Sequence, residues 1–200
     1  MEITVSKTRD KLIEVARQLF ARNGVENTTM NDISQASEKG RRTLYTYFKS
    51  KKEIYLAVTK SELDIILISL SEVVKQDLPA DRKLLEFINV RLKTIKDVVF
   101  RNGTLRADFF RDIWRVENVR RIFDIKEIGF IDKILSDGVK EGIFQIEDTY
   151  ATAEVLHYAF KGLEVPYIRG TIADLTNENE KKIKSVTKLM FYGILKNRGS

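Results

Sequence analysis

Residues Thr28 to Lys52 read TTMNDISQASEKGRRTLYTYFKSKK, and this stretch decides the fold. Thr29-Met30-Asn31-Asp32 has the form of a capping box. The Thr29 hydroxyl can accept from the amide of Asp32, while the Asp32 carboxylate reaches back to the amide of Thr29. Met30, Ile33 and Ala36 then lie along one face of a short helix. Ser37 to Gly40 makes a turn, with Gly40 as N-cap of a second helix, Arg41 to Phe48. That helix divides by face. Leu44 and Phe48, four apart, turn inward toward Phe20 and Ile33. Arg41, Arg42, Thr43 and Thr46 are left outside, flanked by Tyr45 and Tyr47.

Upstream, Ser6 to Arg22 places Leu12, Ile13, Ala16, Leu19 and Phe20 at helical spacing, and Asn23-Gly24 supplies the stop. Downstream, Ser50 is the expected N-cap of a long fourth helix, Lys52 to Lys75, broken by Asp77-Leu78-Pro79. A fifth helix is predicted over Asp81 to Arg101, ending at Asn102-Gly103. Thr104 to Glu117 is short and aromatic-rich. Further helices are predicted over Val119 to Glu141, from a cap at Asp148 to Tyr167, and over Asn177 to Lys196. No run alternates as a strand does. The expectation is an all-α chain of about nine helices, with a three-helix helix-turn-helix head joined by its fourth helix to a helical body. Residues 1–52 form the expected head and residues 53–200 the body.

Composition narrows the function. Hydrophobic residues make up 43% of the 200 and charged residues 32%, which suits a packed core under a hydrated surface. Pro79 and Pro166 are the only prolines, so long helices are permitted almost throughout. Cysteine is absent, which removes disulfides, thiolate zinc sites and cysteine nucleophiles. The first sixteen residues lack the apolar core of a signal peptide, and no stretch reaches the roughly 18–20 apolar residues of a membrane span. A cytoplasmic setting without membrane attachment is expected.

Charge is uneven. Up to Lys52 there are eleven basic residues against six acidic ones, so five of the six net positive charges sit in the first quarter of the chain. A basic head on a nearly neutral body points to a polyanion partner. The paired arginines open a helix whose N-terminal end fits a major groove, where a guanidinium can pair with guanine O6 and N7. A cationic pair at that end works against the helix dipole, so capping does not explain it. Thr43 and Thr46 can touch a thymine methyl or a phosphate, and the Tyr45 and Tyr47 hydroxyls are long enough for phosphates. Thr28 and Thr29 stand at a helix start, where free amides favour a phosphate oxygen. Phosphate contacts set register, and base contacts set sequence preference. An enzyme finds no support: there is no glycine-rich phosphate loop, and His157 is the only histidine, without a triad or metal partner. Neither cofactor nor metal is expected.

ISQASEKGRRTLYTYFKSKKEIY, from Ile33 to Tyr55, resembles the helix-turn-helix signature of the tetracycline-repressor (TetR) family of transcriptional regulators. TRDKLIEVARQLFARNGVENTTM, from Thr8 to Met30, is similar to the family's leading helix. The likeness covers roughly the first fifty-five residues; beyond them only length and helical layout fit. Glu38, Lys39 and Gly40 stand where the family commonly has glycine and valine in the turn and a serine or threonine cap. Arg41 and Arg42 replace positions that are often lysine, proline or glycine.

The resemblance implies that Lys51, in the first turn of the fourth helix, grips the DNA backbone, with Tyr45 and Tyr47 doing likewise. It implies a homodimer in which the last two helices pair with their symmetry mates, with Leu156, Phe160, Leu163, Met190 and Ile194 as seam candidates. A twofold protein requires a palindromic operator. An apolar or aromatic small effector is expected in the body, with Phe109, Phe110, Trp114, His157, Phe160 and Tyr167 as candidate contacts. The function that follows is a repressor released from its operator by that effector. The alternative is a DNA-binding regulator whose body answers to a protein partner or to no effector.

Overall fold

The computed structural model describes residues 2–103 and 117–170. Seven helices lie in those residues: α1 (Glu2–Asn23), α2 (Met30–Ala36), α3 (Arg41–Tyr47), α4 (Lys51–Lys75), α5 (Ala80–Arg101), α6 (Glu117–Lys140) and α7 (Thr149–Ile168). Residues 104–116 of the aromatic-rich stretch and the helix expected over 177–196 fall outside the described residues. No described helix is long and apolar enough to cross a membrane.

Local chemistry fixes the boundaries. Thr29 has extended backbone and accepts from the Asp32 amide at 3.2 Å, while Asp32 accepts from the Thr29 amide at 2.8 Å. Donation from the Thr29 amide and then from the Thr29 hydroxyl holds the Asp32 carboxyl below its usual range. Ser50 accepts from the Glu53 amide at 3.2 Å and so opens α4. Asp148 accepts from the Ala151 amide at 2.9 Å and opens α7. Each cap satisfies a helix-end N–H that would otherwise lack a partner.

The chain divides into two compact units, one of Met1–Asp64 with Asp97–Arg121, the other of Ile65–Lys96 with Ile122–Ser200. In the first, Leu12, Ile13, Ala16, Leu19 and Phe20 of α1 share one core with Ile33, Leu44, Phe48, Ile54, Tyr55 and Val58. The edge of one ring meets the face of the other between Phe20 and Tyr55, with centroids 6.1 Å apart. Burying each such leucine, isoleucine or phenylalanine contributes about 1.5–3 kcal/mol, enough to hold two seven-residue helices that would not persist alone.

In the second unit the buried apolar residues include Leu70 and Val73 of α4, Leu84, Phe87 and Leu92 of α5, Ile131, Ile134 and Leu135 of α6, and Phe160 of α7. Polar residues are buried with them. Arg91 pairs with Glu127 and with Glu164, the latter at 2.7 Å. His157 lies 3.3 Å from Glu127 and 3.4 Å from Asp124, which also takes Lys161 at 3.2 Å. Ile68 of α4 and Ile122 and Ile125 of α6 are exposed.

Candidate nucleic-acid interface

The turn between α2 and α3 is held by side chains. The Ser34 hydroxyl donates to the Lys39 carbonyl at 2.8 Å, and the Ser37 hydroxyl to that of Ser34 at 3.1 Å. Glu38 takes φ 56°, the left-handed region, where the resembling family commonly has glycine. With Leu44 wholly buried, the remaining faces of α3 are set.

Arg41 and Arg42 are both exposed. The Arg41 guanidinium stacks 5.9 Å from the Tyr45 ring centroid, and that of Arg42 has no partner among the described residues. Thr46 is exposed, and its hydroxyl donates to the Arg42 carbonyl at 2.9 Å. Thr43 is half-buried and Tyr45 is 37% exposed. Tyr47 is half-buried and packs on the core of the head. Arg9, Lys49 and Lys52 add exposed positive charge in the same unit. Arg17 does not: it is turned inward against Glu14. Counting charges along the sequence could not separate it from the others.

Two expectations need correction. Thr28 is fully buried, and its hydroxyl donates to the Gly24 carbonyl at 2.8 Å, so it closes the loop after α1 and offers nothing to a phosphate. The Thr29 amide is not free for a phosphate, since it donates to the Asp32 carboxylate at 2.8 Å, and the Thr29 hydroxyl donates to the same carboxylate at 2.8 Å while accepting from the Asp32 amide. Lys51 donates to the carbonyls of Val25 and Glu26 at 2.8 and 3.1 Å. It therefore staples α4 to the loop before α2, and one of its three N–H donors stays free of these bonds.

Phe109, Phe110, Trp114, Met190 and Ile194 lie outside the described residues. Of the remaining body candidates, His157, Phe160 and Tyr167 face the interior of the second unit. That is a correction for Phe160 as a seam residue, because burial within its own chain withdraws it from any partner. Leu156 and Leu163 are half-buried, and the outward apolar face of α7 is Val155, Tyr158 and Val165. Burial opposes a charge on His157, but the Asp124 and Glu127 carboxylates outweigh it and push the imidazole up to about 9. Sequence reading missed Arg91, Glu127 and Glu164. Nothing in a single sequence marks one arginine among 35 basic residues as buried.

A short helix carried on a packed three-helix head, with cations exposed at its N-terminal end, defines a helix-turn-helix DNA-binding protein. Residues 12–58 match the family model of bacterial regulatory proteins of the tetR family. The helix-turn-helix head of this chain is thus of the TetR type found in bacterial transcriptional regulators. It is 24% identical over 149 residues to the uncharacterized HTH-type transcriptional regulator YfiR of Bacillus subtilis (strain 168), covering 73% of this chain and 72% of YfiR. It is 35% identical over 89 residues to the probable acrEF/envCD operon repressor of Escherichia coli (strain K12), or 44% of this chain. The chain spans only 38% of that repressor's length. In fold it is similar to a transcriptional regulator from Saccharomonospora viridis in complex with choline, with a TM-score of 0.69 at 19% identity over 96% of this chain and 99% of the other.

Proposed function

We propose that this protein is a homodimeric repressor that binds a palindromic operator through α3 and is released by a small apolar or aromatic effector. The observation that carries the DNA contact is the exposed Arg41–Arg42 pair, which makes no ion pair among the described residues and has the Tyr45 ring beside Arg41 as its one aromatic contact there. In this reading residues 1–52 are the DNA-binding domain and residues 53–200 the effector and dimerisation domain. Arg41 and Arg42 reach base edges, Thr43 and Thr46 meet thymine methyls or phosphates, and Tyr45, Tyr47 and the free donor of Lys51 meet the backbone.

The dimer seam is supported by the exposed Val155, Tyr158 and Val165 on α7, which recur at one helical face. Repression is supported by the relative named as a probable operon repressor, and a small effector by the similar structure in complex with choline. Release follows if the effector binds more tightly to a dimer conformation whose two recognition helices no longer match the operator spacing. Selection of duplexes from a random-sequence pool tests the proposal. The expected product is an inverted repeat with half-site centres about one helical turn, or a multiple of it, apart. Enrichment of no sequence, or of an asymmetric single site bound by a monomer, would refute it.

A further inference from the structure

Polar contacts hold α1 in addition to its apolar stripe. Arg17 has only 10% of its side chain exposed; its Nε and Nη2 donate to Glu14 at 2.9 and 2.6 Å, and its Nη1 donates to the carbonyl of Arg101 at 3.2 Å. Arg101 is the last residue of α5. Glu62 of α4, 1% exposed, lies 3.9 Å from Arg17 Nε, accepts from Asn102 Nδ2 at 2.7 Å and pairs with the Arg101 guanidinium. Asn102, itself buried, also donates to the Val98 carbonyl at 2.7 Å. Just beyond, Gly103 has φ +47°, and a Cβ there would stand 2.7 Å from the Ala21 carbonyl oxygen. The end of α5 therefore comes as close to α1 as a residue without a side chain allows. Three helices meet at one carboxylate.

Apolar residues of equal volume would join three helices at least as strongly, because a buried carboxylate must be taken out of water before it can be paired. What the charged node adds is direction. The charge-assisted bonds of Glu62 to the Arg101 guanidinium and the Asn102 amide, its ion pair with Arg17, and the Arg17 bond to the Arg101 carbonyl constrain the height and rotation of α1 in a way that a greasy contact does not. Helix α3 shares its core with α1 through Leu44, Phe48 and Phe20, so the pose of α1 sets where Arg41 and Arg42 stand. We propose that Glu62 is a positioning residue for DNA binding. With Arg17, Arg101 and Asn102 it locks α1, and through it α3, in the orientation that fits a groove, and the last turn of α5 with Gly103 belongs to the DNA-binding unit. This rests on the reading that α3 enters DNA.

The test uses the full chain, a fluorescent duplex that the wild-type protein selects from a random-sequence pool, and a scrambled duplex of equal length. Glu62→Gln keeps the volume and an acceptor but removes the charge. Arg101→Met removes the other side of the pair at a position whose side chain is 43% exposed, so it should fold even if the glutamine variant does not. In each folded variant the expected result is at least tenfold weaker binding to the selected duplex and binding to the scrambled one within about twofold. Local hydrogen exchange is expected to quicken at the end of α1. A merely structural role would instead lower the melting temperature while the folded fraction kept the wild-type ratio of selected to scrambled affinity. That ratio unchanged in Arg101→Met overturns the proposal. Arg41→Ala with Arg42→Ala, run alongside, separates the two readings. If that pair binds like wild type, the groove reading falls on its own.

Discussion

Among the described residues Glu38 is the one non-glycine at positive φ, and it lies in the turn that aims α3. The left-handed region costs a residue with a Cβ roughly 1–2 kcal/mol, part of which glycine gives back through its freer unfolded chain. Its ion pair with Lys11 at 3.4 Å lies between two well-exposed side chains and offsets little of that. Glu38→Gly is accordingly expected to raise stability by about 0.5–1 kcal/mol in urea unfolding. Thr28 gives the opposite case. Replacing it with valine removes the bond to Gly24 and should cost about 1 kcal/mol, with no change in the salt dependence of DNA binding. A slope reduced by about one unit would instead return Thr28 to the phosphates.

At the scale of elements, the head could be read from sequence because punctuation and periodicity agree there. The Thr29 box, the Ser50 cap and the Leu44–Phe48 spacing each specify one local geometry, and all three are observed. In α7 the cap at Asp148 was legible and the buried face was not. Leu156, Phe160 and Leu163 were expected at a dimer seam, yet Phe160 is buried in its own chain, and His157 and Glu164 are turned in with it because partners on α6 and α5 meet them. Arg17 and Glu62 escaped notice for the same reason: a charged residue reads as surface until its partner, far off in the chain, is known. Arg91→Ala tests how much the inner network carries. It leaves Glu127 and Glu164 buried without their cation, and the expected loss is about 3–5 kcal/mol by chemical unfolding. A loss under about 1 kcal/mol would mean that water or rearrangement replaces the guanidinium.

For the whole molecule, the network makes stability depend on pH in a definite sense. The folded-state value of His157 is about 9 against 6.5 unperturbed. Its contribution is therefore fully present below about pH 6.5 and is lost as pH rises toward 9, by at most about 3 kcal/mol. Asp124 and Glu127 are held below their usual range: burial works against that charge, and His157 with its cationic neighbours outweighs it. Their contribution is present at neutral pH and is lost as pH falls through the acid range. His157→Gln should flatten the decline between pH 6.5 and 9 in urea midpoints, and an unflattened curve would assign the decline to other groups. DNA binding is the property on which the rest of the account depends. The most direct measurement is the affinity of the wild-type chain and of Arg41→Ala with Arg42→Ala for a selected and a scrambled duplex, taken across salt concentrations. The account predicts a linear fall of log affinity with log salt for wild type, and loss of discrimination between the duplexes in a variant that stays folded. Wild-type discrimination retained by the double variant, or affinity indifferent to salt, would contradict it.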